Sequence, residues 1–309
     1  MESESGGKAL EGEMEVEAFK RLFPLPFYEK HLSQSLRPDS RSLDESRPTI
    51  LVLGTVQTAD GSATAKIGHT TMMAAIKLEI MIPTSESPNE GAIAIEFHMP
   101  PVCSPIVRPG RPAEVAPVIS KQLSDVILSS GMINLGELSI ISRKAAWMAY
   151  LDIYCLDADG SLFDAALLSA VGAFVNLEIP PVSLSDEGRI TVASAELLEH
   201  TEVVGSKEKR KLQLGEIPLS LTCVLHKKYI LADPNAEEES IMDTLVTIVL
   251  DTSSRLLFLY KPGGLFLANS SMLQICGELQ SCVQLAKSRL TVLKEILRDA
   301  LSEMDVDEE

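Results

Sequence analysis

Aromatic side chains are scarce in this chain. They make up 5% of its 309 residues, and Trp147 is the only tryptophan. Aliphatic side chains and methionines must fill the interior, and a 45% apolar content is enough to bury a substantial core. Paired-thiol motifs are also missing. Cys103, Cys155, Cys223, Cys276 and Cys282 show no C-x-x-C spacing. Their odd number, with no secretory leader, predicts reduced thiols inside the cell. The longest apolar run, Ala165 to Leu177, is 13 residues. That is too short to span a bilayer, so a soluble cytoplasmic or nuclear protein with no membrane partner is expected. Histidines are few and scattered. His31, His69, His98, His200 and His226 include no pair at metal-ligand spacing, so each reads as a surface or strand residue and no metal is expected. No P-loop, G-x-S-x-G elbow or H-E-x-x-H motif occurs, and no cofactor is predicted.

Acid is what the chain has in excess. The formal net charge is −17, much of it at the ends: residues 1–17 hold six glutamates and one lysine, and residues 302–309 hold five acids and no base. These ends read as a solvated leader and tail. The body between them is mildly acidic, so no broad basic face is expected, although a local basic site remains open.

Val16, Phe19, Leu22 and Phe23 recur at helical spacing, and a helical segment is expected over 18–36, where Pro24 and Pro26 interrupt the pattern before a second piece from Phe27 to Leu36. A charged connector, Arg37-Pro38-Asp39-Ser40-Arg41, follows. Thr49 to Met99 reads as antiparallel strands joined by short turns, including a hairpin signal at Asp60-Gly61. Arg108 and Arg111 lie in the proline-rich loop Pro100–Pro112. After it come a helix with Val115, Ile119, Leu123 and Val126 on one face, a buried strand over Trp147–Leu156, and a helix over Leu162–Val175. That second helix is apolar nearly all round and belongs inside the core. The Ile217–Leu231 hairpin, strands over Ile241–Leu250 and Arg255–Tyr260, and a long helix through Leu290 and Ala300 complete the chain. The long helix is expected to pack on a sheet rather than form a coiled-coil seam. The order of elements implies an α+β fold of mixed or antiparallel sheets covered by helices.

Two clusters are candidates for chemistry. Glu237, Glu238 and Glu239, with Asp233 and Asp243, can bind Mg²⁺ or act as acid and base. The turn chemistry of Asp233-Pro234-Asn235 favours a solvated loop instead. Gly263-Gly264 reads as a turn, since no helix start follows directly.

The connector Arg37-Pro38-Asp39-Ser40-Arg41, with Arg47-Pro48, resembles the R-P-D-G-R opening of the ribonuclease PH family, with Ser40 at the glycine position. Gly61-Ser62 and Gly68-His69-Thr70 are similar to its hairpin, and Leu151 to Gly160 to the strand and turn that open its second half. Ile230 to Pro234 with Glu237-Glu238 is similar to the D-P-T-x-x-E-E segment of exosome ring subunits. Phe27 to Leu32 resembles the leader of eukaryotic ones. The pieces fall in family order across residues 20–265. The resemblance implies a ribonuclease PH-like domain over 37–301, with halves at about 37–145 and 146–301. It also implies a six-membered ring of such domains, RNA-binding cap subunits, and single-stranded RNA in a central channel. The implied work is 3′→5′ RNA processing and decay in nucleus, nucleolus and cytoplasm.

The resemblance further implies lost catalysis. Active members cradle phosphate at a helix N-terminus with a G-G-T-R or G-G-D-R loop. Here Gly160-Ser161-Leu162-Phe163-Asp164 lacks the arginine, and Asp159 and Asp164 are expected to repel phosphate. In the family's E-D-S-A-A-D-T-D pattern, Glu239 fills the first acid position and Leu245 the second, with Asp243 in reach if the alignment slips. A pseudo-enzyme is therefore expected. A phosphorolytic exoribonuclease with an unconventional site, or a free RNA-binding regulator, are the alternatives. Arg108 and Arg111, held in a proline-limited loop, are candidates for guiding RNA, unless one of them merely pairs with Glu114.

Overall fold

Strands, most clearly alternating over Thr70–Met81, build much of the first half of the chain. In the computed structural model, which describes residues 14–184, 190–192, 202–204, 209–242, 244–262 and 272–307, these are β1 (Thr49–Leu53), β2 (Gly61–Ile67), β3 (Thr70–Met81), β4 (Ala92–His98), β5 (Ser139–Ile141) and β6 (Ala145–Asp157). They form one sheet in the order β1-β2-β3-β6-β4, with β5 on β6. Along β3, Thr70, Met72, Ala74, Ile76 and Leu78 face inward and their neighbours outward.

The expected run of antiparallel neighbours ends at β3. β4 does not pair with β3 but lies parallel to β6, with Ile95 opposite Leu151 and Glu96 opposite Asp152. The intervening residues, which include α3 (Val115–Ser129), supply the crossover that parallel strands require. α3 buries Ile119, Leu123 and Val126, while Val115, expected on that face, is 48% exposed.

α4 (Leu162–Val175) is buried at every residue from Phe163 to Phe174. It packs on β1, β2, β3 and β6 and, across the interior, on β12 (Leu219–His226). Small strands β7 (Glu178–Ile179) and β11 (Arg210–Lys211) pair, as do β8 (Val182–Leu184), β9 (Ile190–Val192) and β10 (Glu202–Val204). The second large sheet runs β13-β12-β14-β15, with β13 at Tyr229–Ala232, β14 at Thr244–Leu250 and β15 at Leu256–Tyr260. α6 (Met272–Asp307) lies on β1, β12, β13 and β14 through buried Cys282, Ala286, Leu290, Leu293, Leu297 and Ala300. It is a sheet-packing helix, as its apolar stripe predicts.

The ends depart from the sequence reading. Residues 14–22 form helix α1, which breaks before Pro24 as expected, but the second piece, α2 (Pro24–Leu32), starts at Pro24 itself rather than at Phe27 and ends before Leu36. Proline at the first helical position lacks only an N–H that would be orphaned anyway. α6 continues through 302–307, so most of the acidic tail is helical. Each residue added to an already packed helix gains a hydrogen bond without a new nucleus. Gly263-Gly264 falls outside the described residues. No helix among the described residues is long and apolar enough to cross a membrane.

Candidate functional site

The connector at 37–47 and the acidic segment at 233–239 are about two hundred residues apart in sequence and bonded to each other in space. Arg37 is 1% exposed and Arg47 6%. The Arg37 guanidinium donates to the carbonyls of Leu43, Ala232 and Asp233, and lies 3.5 Å from Glu238 Oε2. Arg47 meets Asp233 with two side-chain hydrogen bonds of 2.7 and 3.0 Å, and its backbone N–H donates to the same carboxylate at 2.7 Å. Its guanidinium also donates to the carbonyls of Asp159 and Pro234. Burial alone would raise the pKa of Asp233, but Arg47 outweighs it and holds the group below the ordinary carboxylate range. Arg41 adds a bond to the Asp233 carbonyl at 3.2 Å. Ser40, at the family's glycine position, adopts φ +69. It keeps the left-handed turn that returns the chain between Arg37 and Arg41.

The acidic segment is therefore no solvated loop, contrary to the expectation from its composition. Residues Ala236–Ile241 form α5, and Glu238 is fully buried. Asn235 accepts from the Glu238 N–H, and the Glu238 carboxylate accepts from the Asn235 N–H. This capping box is written in the sequence as N-x-x-E, a helix-start signal that the run of glutamates obscures.

Above this network, α5 abuts the start of α4. Gly160 has φ +73, and a Cβ there would sit 2.5 Å from the Pro234 carbonyl oxygen and 2.8 Å from the Ala236 nitrogen. Only glycine allows that approach. Ser161, buried in a left-handed conformation, donates its hydroxyl to the Pro234 carbonyl. Its backbone N–H donates to Glu239 Oε1 at 2.7 Å, so a carboxylate from the same chain sits at the N-terminus of α4. Burial drives the pKa of Glu239 up to about 7, against the pull of the Ser161 N–H.

The two flanking aspartates do not behave as expected. Asp164 points away from the loop, accepting from the Ser220 hydroxyl and the Thr222 N–H, each at 2.6 Å. Burial raises its pKa to about 6. Asp159 accepts from the Ala236 N–H and lies 3.5 Å from Arg47. One carboxylate ties α4 to β12 and the other caps α5, so both charges are engaged inside the protein.

Most of the sequence candidates meet in one cleft of about 650 Å³. Arg108, Arg111, Gly160, Leu162, Glu239 and Leu245 all line it. Ser161 and Phe163 are buried and do not line it, and Asp243 lies outside the described residues. Arg108 and Arg111 are exposed, in a turn closed by the Arg111 N–H on the Arg108 carbonyl. Among the described residues neither guanidinium makes an ion pair, Glu114 included. The cleft thus offers two free cations, an apolar wall from Ile106, Leu162 and Leu245, and one carboxyl that titrates near neutrality.

Two sheets around a buried helix, with a cleft where that helix starts, define an α+β protein of the ribonuclease PH fold. Residues 45–180 match the 3′ exoribonuclease family, domain 1, and residues 216–289 match its domain 2. The chain belongs to this family. It is similar to exosome complex component rrp43 of Schizosaccharomyces pombe, with 33% identity over 88% of this chain and 94% of that one. It is also similar to exosome complex component Rrp42 of Methanopyrus kandleri, with 35% identity over 70% of this chain and 76% of that one. A chain of the Archaeoglobus fulgidus exosome, solved with RNA bound to the active site, superposes with a TM-score of 0.74 at 26% identity, covering 91% of this chain and 98% of that one.

Proposed function

We propose that this chain is a non-catalytic ring subunit of an RNA exosome, guiding single-stranded RNA through 3′→5′ processing and decay in nucleus, nucleolus and cytoplasm. Its partners are other ribonuclease PH-like ring subunits and RNA-binding cap subunits. The relatives' names support the assembly. So do exposed apolar residues at the sheet edge and the N-terminal helices: Ile50 at 56%, Val52 at 49% and Leu22 at 73%.

The observation that carries the non-catalytic reading is the occupant of the α4 N-terminus. A phosphate bound there would have to displace or sit against the Glu239 carboxylate, which already takes the Ser161 N–H. The Leu162 and Leu245 side chains beside it offer no hydrogen bond. Arg108 and Arg111 remain free to meet RNA phosphates. Incubated with single-stranded RNA, the purified chain should release no nucleoside diphosphate, with or without inorganic phosphate.

One observation favours a second reading, a phosphorolytic exoribonuclease with an unconventional site. A carboxyl titrating near 7 in a cleft suits general acid–base work. Phosphate-dependent release that disappears on Asp243→Ala or Glu239→Gln would establish that reading and overturn the first. A free RNA-binding regulator, in turn, would elute from native extract apart from any ring.

A further inference from the structure

On the outer face of the first sheet, the parallel register of β4 and β6 creates a group of residues that sequence spacing cannot reveal. Glu96 and His98 are two apart on β4 and so point to the same side. Asp152 lies opposite Glu96 and Tyr154 opposite His98 on β6. The His98 ring stacks on Tyr154 at 4.7 Å between centroids, which fixes its plane. Its Nε2 is then 3.6 Å from Glu96 Oε2 and 3.8 Å from Asp152 Oδ1.

We propose that Glu96, His98 and Asp152 form a binding site for a divalent transition metal, with zinc the best fit. One imidazole nitrogen and two carboxylate oxygens, all within 4.8 Å of one another, are a donor set zinc accepts, with water in the fourth position. Zinc bonds of about 2.1 Å at tetrahedral angles separate ligand atoms by roughly 3.4 Å. The two histidine distances are already close to that, and the carboxylate pair closes by a small rotation of exposed side chains. The local charge also suits a cation. On β3, Ala75 faces Asp152 and Met73 faces Tyr154. Lys77, further along β3 opposite Tyr150, is turned to Asp60 and the Thr58 carbonyl. Among the described residues no lysine or arginine neutralises Glu96 or Asp152. The site ties the end of edge strand β4 to β6, and His98 stands just before the loop that carries Arg108 and Arg111. Bound metal thus anchors the root of that loop. The expectation of no metal rests on spacing within single segments, whereas here the third ligand comes from a neighbouring strand.

The competing arrangement is a His98 that only bridges the two carboxylates, with no metal bound. The test is calorimetric titration of zinc chloride into the chelator-dialysed full chain, in whatever assembly it purifies. One zinc should bind per chain and raise the melting temperature. His98→Ala and Asp152→Asn, both at half-buried positions on the sheet's outer face, should nearly keep the metal-free melting temperature and weaken zinc binding at least about tenfold. Magnesium should not compete, since it prefers an all-oxygen shell. Absence of saturable zinc binding, or binding unchanged in both variants, would overturn the site.

Discussion

Two pairs of arginines in this protein do opposite things. Arg37 and Arg47 are buried, and every strong bond they make runs to a carboxylate or carbonyl of the same chain. Arg108 and Arg111 are exposed in the cleft and have no ion-pair partner among the described residues. The first pair sits in the most recognisable motif of the sequence, the second in an undistinguished proline-rich loop. By this contrast the family's opening signature is scaffold. It fastens the connector to the β13–α5 turn and to the Asp159 carbonyl, next to the Gly160 and Ala236 that line the cleft. A buried charge network of this kind specifies geometry, because removing one partner leaves the other stranded.

The contrast breaks most sharply at Asp233. Asp233→Ala strands the Arg47 guanidinium in the interior and should cost about 3–5 kcal/mol, measured by denaturant unfolding. Arg108→Ala should change stability by less than about 0.5 kcal/mol in the same assay. A similar cost at both positions would erase the distinction between scaffold and cleft.

Next in size is Gly160, where the scaffold touches the cleft. Gly160→Ala combines a left-handed backbone with a clash against the Pro234–Ala236 backbone. It should destabilise by about 3 kcal/mol. Thermal melting with retained far-ultraviolet circular dichroism separates this loss from wholesale misfolding.

A smaller, pH-dependent effect sits at Glu239. Its folded pKa, about 7, lies above the ordinary glutamate value of 4.5. The native state therefore binds this proton more tightly than the unfolded state. Stability from this group is fully present below the unfolded value and is lost as pH rises toward 7. Glu239→Gln keeps an acceptor for the Ser161 N–H without the titration. Its stability relative to the parent should improve by about 2–3 kcal/mol between pH 5 and pH 8. A pH-independent difference in melting temperature would contradict the burial of that carboxyl.

Much of this molecule is legible in its sequence, and the limits are physical. The core helix α4 is readable because it is apolar all round, and α6 because its stripe repeats at helical spacing. β4 is readable as a strand but not as a neighbour of β6, since a two-residue period says which face is buried and nothing about which strand lies alongside. The Arg47–Asp233 pair is invisible for the same reason, being made across 186 residues. α5 escapes the sequence reading although its capping box is in plain view, because three consecutive glutamates suggest solvent. In the cleft, residue types supply the candidates, but only the folded chain shows that Glu239 takes the Ser161 N–H.

If Arg108 and Arg111 are free to hold RNA in a cleft that does not cut it, removing them must weaken binding through charge alone. The direct measurement is single-stranded RNA affinity as a function of salt, in a reconstituted ring carrying Arg108→Ala and Arg111→Ala together. Affinity should fall uniformly across sequences, and the slope of log K against log salt should flatten by roughly 0.7 for each phosphate no longer neutralised. An unchanged affinity with an unchanged slope would make the loop a structural turn and contradict its role in holding RNA.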